Sequence, residues 1–346
     1  MSQPAITFIA ASGDPFEIGL QHGARLAKPL RAFLDDGLAR LDRLVSTPVS
    51  LGSLAATLAA YRAHLSQATP RLALELDGLA AGAGLSRDEA LLLQLRREIM
   101  GYQRIPTTGD CTTYARSGSD PVLAQTVDLN GNLDDQISVL RIAPAGSGRR
   151  SLVLSFAGLL GYLGMNSDGL AIGLNLVLGG RWRPGVPPYL AIRQLLDSAS
   201  SVAEAVAILR QLPLASSRSL TLCDRQQSAY LEILDNELRV VQTPQPVHTN
   251  HFLDADFARS DELNVFARNS SMLRLKACSA GLDQLPATAS VLEHFRLLSA
   301  APICVPDSGD IRRERTVAAV VMLPATGELH IRPGDPSRQQ AQTFRL

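Results

Sequence analysis

TTGDCTTYARSG (107–118), running on as SDPVLAQTVDLN (119–130), changes the texture of the chain at one residue, Cys111. Before it lie about a hundred residues of helical periodicity, and the link from Tyr102 to Asp110 carries Pro106 and Gly109. After it come short runs rich in Val, Leu, Thr and Tyr divided by turn signals, the pattern of strands. CTTYARS and VLAQTVDLN flank the turn SGSDP as the two arms of an antiparallel pair. Outward from them, QISVLRIAP, RSLVLSFAG and GLAIGLNLV continue the strands through the turns NGNLDD and PAGSGRR.

On the N-terminal side, Asp14-Pro15 is a helix cap followed by proline at the first position. The apolar residues Phe16, Ile18, Leu20, Leu26, Leu30, Phe33, Leu34 and Leu38 recur from it at roughly helical period. Further helices are predicted over 53–67, 70–81 and 86–99, the last opened by Ser86 with Glu89 three residues on, a capping box. On the C-terminal side, helices fit 188–198 and 201–210, then strands fit SRSLTLCD, AYLEIL and ELRVVQT. Helices near 260–280 and 287–299 follow, then a closing hairpin, TVAAVVMLPATGELHIRP, and a polar tail from Gly334 that reads as loose. Two groups of strands with helices between and after them predict an α+β architecture. Two stacked antiparallel sheets would be covered by helices, with the helical first hundred residues wrapped on them.

Composition narrows function by exclusion. The 33 basic and 33 acidic side chains cancel, so there is no electrostatic footprint for nucleic acid or an anionic membrane. No apolar run approaches the ~18–20 residues of a membrane span. MSQPAITFIAASGDP lacks the basic-then-apolar order of a secretory leader. The four cysteines, at 111, 223, 278 and 304, match neither a zinc pattern nor a disulfide framework, so a reducing cytoplasm is the expected setting. His248 and His251 are three apart, but no third ligand stands at metal spacing. Trp182, on the loop GGRWRPGVPPY, fits either the mouth of a substrate site or a surface anchor.

A thiol attacks as thiolate and needs a base or a cation beside it, whereas a lone cysteine is also an ordinary small buried hydrophobe. Five stretches in order favour the first reading for Cys111: SGDPFEIGLQHG, ELDGLAAGAGLSRDEALLLQLRREI, GDCTTYA, GMNSDGLAIGLN and HTNHF. Across nearly its whole length the chain resembles the acyl-coenzyme A:6-aminopenicillanic acid acyltransferase (isopenicillin N acyltransferase-like) family of autoproteolytic N-terminal-nucleophile hydrolases. The resemblance implies a four-layer αββα sandwich. It also implies cleavage of the Asp110–Cys111 bond, leaving residues 1–110 associated with a core, 111–346, that begins at its own nucleophile. A free α-amine has a pKa of roughly 7.7–8.0 and can act as the base for its own thiol. The family's best-known member has glycine before the cysteine; here it is Asp110, whose carboxylate could assist the proton transfers.

By the same resemblance, Asp128 would bond and orient the amine, and pairing of CTTYARS with VLAQTVD would return it to Cys111. Asn250 in HTNHF, and Asn175 at the end of GLAIGLN, would donate to an oxyanion, since a fixed amide supplies hydrogen bonds without titrating. Arg315 in RRERTVAAVV falls where the family carries a supporting arginine, with Arg312 and Arg313 as competitors. The implied substrate is a small acyl amide or thioester, its acyl group passing to water or an amine. No cofactor is implied beyond a coenzyme A thioester as acyl donor, and a homo-oligomer is compatible. Two other classes fit the same residues: an uncut thiol hydrolase using His248 or His251 as base, and a non-catalytic binding protein on the same fold.

Overall fold

The computed structural model describes residues 5–102 and 111–346; Asp110 lies outside the described residues. The chain opens with a strand, β1 (Thr7–Gly13), then helices α1 (Pro15–Asp35), α2 (Gly37–Leu44), α3 (Leu51–Ala68), α4 (Pro70–Ala83) and α5 (Arg87–Tyr102). Six strands follow: β2 (Thr113–Arg116), β3 (Val122–Leu129), β4 (Ile137–Pro144), β5 (Ser151–Phe156), β6 (Leu163–Asn166) and β7 (Ala171–Asn175). Helices α6 (Pro188–Ser198) and α7 (Val202–Leu209) lead to β8 (Arg218–Cys223), β9 (Ser228–Leu234), β10 (Glu237–Gln242) and β11 (Val247–His248). The last part holds α8 (Val265–Gln284), α9 (Val291–Ser299), β12 (Arg315–Leu323), β13 (Glu328–Pro333) and β14 (Gln342–Arg345).

The caps read from sequence are formed. Asp14 accepts from the Glu17 N–H at 2.9 Å while Glu17 accepts from the Asp14 N–H, and Ser86 and Glu89 do the same. The helix expected from residue 260 begins at Val265, because Asn264 accepts from two backbone N–H groups and caps it there. Two glycine pairs explain the first two motifs. A Cβ on Gly19 or Gly23 of α1 would lie 1.9 or 2.3 Å from carbonyl oxygens of α4, and one on Gly78 or Gly82 would lie 2.1 Å from carbonyls of α1. The helices touch backbone to backbone, which only glycine permits at those four positions.

Strands assort into two sheets, ordered β1-β4-β5-β6-β7-β8-β9-β10 and β11-β2-β3-β12-β13-β14. The six-stranded sheet packs face to face on the eight-stranded one, α8 and α9 cover the former, and α1 and α6 lie against the latter. The result is the four-layer αββα arrangement within the α+β class. Sheet membership does not follow the two sequence groups: β2 and β3 join β11, the C-terminal hairpin and β14, and the other eight described strands form the second sheet. All pairings are antiparallel except β1 with β4, which is parallel. The tail expected to be loose supplies β14, paired with β13. Gln125 of β3 stitches the sheets together: its amide donates to the Leu174 carbonyl at 2.9 Å and accepts from the Leu174 N–H at 3.0 Å. That contact fixes the end of β7 opposite the start of β2.

Candidate active site around Cys111

Three strand ends meet where Cys111 enters β2. Thr113 pairs with Gln125, so Cys111 comes opposite the end of β3, and Thr316 at the start of β12 is the register partner of Asp128. The Cys111 carbonyl accepts from Asn175 Nδ2 at 2.8 Å and from Arg274 Nη1 at 3.0 Å. Its buried Sγ lies 3.5 Å from the Asp128 backbone N, which donates to it, and 3.7 Å from the Tyr162 hydroxyl. The other three cysteines are poorer nucleophiles, since burial pushes the thiols of Cys223 and Cys278 up to about 12 and that of Cys304 up to about 11.

Asp128 is fully buried, and two threonines hold its carboxylate: Thr316 Oγ1 at 2.7 Å on one oxygen and Thr126 Oγ1 at 3.4 Å on the other. Each hydroxyl also accepts a backbone N–H, Thr316 from Val305 and Thr126 from Thr112. Its proton is therefore directed at the carboxylate.

Asn250 is fixed by chemistry that settles its orientation. Arg274 Nη2 reaches it at 2.8 Å, and a guanidinium only donates, so that atom is the amide oxygen. Nδ2 then faces the Leu176 carbonyl at 2.9 Å. Arg274 also donates to Thr112 Oγ1 at 3.1 Å, so one side chain ties α8 to the first two residues of the strand entry and to Asn250.

The arginine that reaches this group is thus Arg274, not Arg315. Alternation along β12 turns Thr316 toward Asp128 and Arg315 to the other side, where it pairs with Asp134 at 2.6 Å. Arg312 donates to the Arg43 carbonyl, and Arg313 is exposed. Sequence did hold a signal for Arg274: it lies among Ala267, Ser271, Cys278 and Leu282 on the buried stripe of α8, where a cation needs acceptors. Tyr162 gave no such signal, sitting in an apolar run.

A cleft of about 720 Å³ opens from Cys111 and Asp128. Its walls are apolar, with Leu93, Leu129, Phe156, Leu174 and Leu176 among them, and three arginines, Arg96, Arg97 and Arg218, also line it. Arg218 faces Glu98 at 3.3 Å and lies over the ring of Trp182. Trp182 stands behind the cleft wall, donating to Ser217 Oγ and packed so close to Gly101 that no Cβ would fit there. His248 is buried between Glu232 and the Thr249 carbonyl, and His251 bonds Ser271 Oγ; neither lines the cleft.

Residues 115–338 match the model of the family described as acyl-coenzyme A:6-aminopenicillanic acid acyl-transferase. The chain belongs to that family. It is 27% identical over 261 residues to the acyl-coenzyme A:6-aminopenicillanic-acid-acyltransferase 40 kDa form of Emericella nidulans, covering 74% of this chain and 72% of that one. Among solved structures, penicillin V acylase from Agrobacterium tumefaciens aligns at 17% identity over 68% of this chain and 86% of its own, with a TM-score of 0.48. A mutant conjugated bile acid hydrolase from Clostridium perfringens aligns at 10% identity over 68% of this chain and 97% of its own, with a TM-score of 0.46. Family membership agrees with the resemblance carried by the five motifs and makes the chain an acyl-transfer enzyme. No helix among the described residues is long and apolar enough to cross a membrane.

Proposed function

We propose that the chain is an N-terminal-nucleophile amidohydrolase or acyltransferase. Cys111 would be freed as nucleophile by cleavage of the Asp110–Cys111 bond, with residues 1–110 remaining bound to 111–346. The observation that carries this reading is the setting of Cys111: its carbonyl is clamped by Asn175 and Arg274, and its sulfur faces an N–H at the end of an apolar cleft. Once freed, the α-amine takes the thiol proton, and Asp128 orients the amine. Sγ attacks the substrate carbonyl. Asn175 uses one amide N–H on Cys111 and has a second to offer the oxyanion, and Asn250 is held in place as its counterpart. The leaving amine takes the proton back from the α-ammonium, a thioester remains on Cys111, and water or another amine releases the acyl group. A thioester donor, including one of coenzyme A, would acylate the same sulfur, with a thiol in place of the amine as leaving group.

The uncut cysteine–histidine alternative lacks support, because His248 and His251 are committed to Glu232 and Ser271 away from the cleft. The acyl-enzyme is the direct test. After incubation with an activated acyl thioester and acid quench, peptide mass spectrometry should place the acyl group on Cys111 alone, and Cys111→Ala should take up none. Acylation at another residue, or turnover unchanged in Cys111→Ala, rejects the assignment.

A further inference from the structure

Buried arginines in this chain come with acceptors. Arg193 is gripped by both oxygens of Glu75 at 2.7 and 2.8 Å and by Asp197, Arg218 faces Glu98, and Arg274 has three oxygen partners. Among the described buried arginines, Arg96 is satisfied least. It is 7% exposed, its Nε donates to the Ala39 carbonyl at 2.8 Å, and its buried Nη2 has no hydrogen-bond partner. Among the described residues no carboxylate pairs with it; its guanidinium lies over the ring of Phe33, with Arg40 over the same ring. Burial lowers it to about 10, so it is still a cation at neutral pH. A buried cation without an anion is a standing penalty, and a protein keeps one where something else supplies the charge.

Two features show that this position is constructed. The Ala39 carbonyl is presented by Leu38, Ala39 and Arg40, three consecutive non-glycine residues at φ of 51°, 60° and 63°. Such a turn is costly, roughly 1–3 kcal/mol per residue, and persists only when its surroundings hold it. Arg40 does so by bonding Asp36, Asp135 and the Gly131 and Asn132 carbonyls. Opposite, Gly131 leaves room: a Cβ there would come within 3.2 Å of Arg96 Nη2. Arg96 lines the same cleft as Cys111.

We propose that this cleft takes a substrate carrying a carboxylate on an apolar chain, with Arg96 as the anchor for that carboxylate. The inference rests on the acyl-transfer reading for its reaction, but not for its binding. Arg96 is a specificity residue: it holds one end of the substrate while chemistry occurs at Cys111.

Binding is read first, with unreactive probes on the full chain. By calorimetry, octanoate should bind at least about tenfold more tightly than octanamide, the worth of one charge-assisted hydrogen bond. Arg96→Met should erase that difference, and Arg96→Lys should retain part of it. Equal binding of the two probes to the unaltered protein, or a preference that survives in Arg96→Met, overturns the proposal. An inactive Cys111 would leave this measurement intact, so the two readings fail separately. Turnover then locates the carboxylate, using N-octanoylglycine for the amine half and the mono-anilide of octanedioic acid for the acyl half. Arg96→Met should lower kcat/KM for one of these and spare uncharged N-octanoylaniline; loss on all three alike, or on none, counts against the anchor.

Discussion

Asp128 is held by two hydroxyls that each accept a backbone N–H and donate to the carboxylate, so it is oriented before any substrate arrives. Asp128→Asn should keep the fold and lose about 10²-fold or more in turnover, since the amide cannot accept from the amine as the carboxylate does. Wild-type turnover in that variant would remove Asp128 from the site. Arg274→Met should take one of two donors from the Cys111 carbonyl and the guanidinium from Asn250 Oδ1, costing about 2–4 kcal/mol in a denaturant titration together with most of the activity. An unchanged midpoint would show that those bonds contribute nothing. Cys111, Asp128, Asn175 and Asn250 were legible as a group only through the family resemblance, since position alone leaves Cys111 a small buried hydrophobe and the others polar residues at strand ends or turns. For Arg274 the apolar stripe of α8 signals only a buried cation; its partner Cys111 is 163 residues away and only the fold joins them. Arg315 stands apart because strand alternation turns it to Asp134 and gives Thr316 to Asp128.

At the scale of elements, helices were read well because caps and apolar period are local signals. The strands β1, β6, β11 and β14 were not. β1 buries only Ile9 and Ala11 and is specified by its parallel partner β4. β6 is buried on both faces, so the alternation that marks a strand is missing, as it is in a fully covered sheet. The glycines shared by α1 and α4 give the sharpest test here. Gly82→Val should force the helices apart and destabilise the protein by about 1–3 kcal/mol or more, whereas Gly148→Ala, on an open turn with nothing near its Cβ, should be close to neutral. Equal effects would mean that the helix contact is not close.

Over the whole molecule, the two parts flanking Cys111 share one core. Glu75 of α4 grips Arg193 of α6, Gln94 of α5 exchanges bonds with the Gly158 carbonyl and the Leu160 N–H, and β1 lies beside β4. Cleavage would therefore leave the parts bound until denaturant separates them. Sheet membership was not legible from sequence order, because the C-terminal hairpin returns across some 190 residues to flank β3. Stability should also fall in mild acid. Burial lowers His22 to about 3, and His251 and His294 to about 4, so they stay neutral in the folded chain while the unfolded chain binds protons below about pH 6.5. Unfolding then takes up protons, and His22 alone contributes a loss of up to about 1.4 kcal/mol per pH unit on going down from there toward pH 3. Denaturant midpoints between pH 7 and 5 should drop less in His22→Leu than in the unaltered chain; identical slopes contradict this. The central claim is that Cys111 becomes its own base by becoming an N-terminus. Denaturing electrophoresis with N-terminal sequencing of the purified protein tests it: the account predicts two fragments, one beginning at Cys111, and a single uncut chain in Cys111→Ala. A full-length chain that is active without any new N-terminus at Cys111 would contradict it.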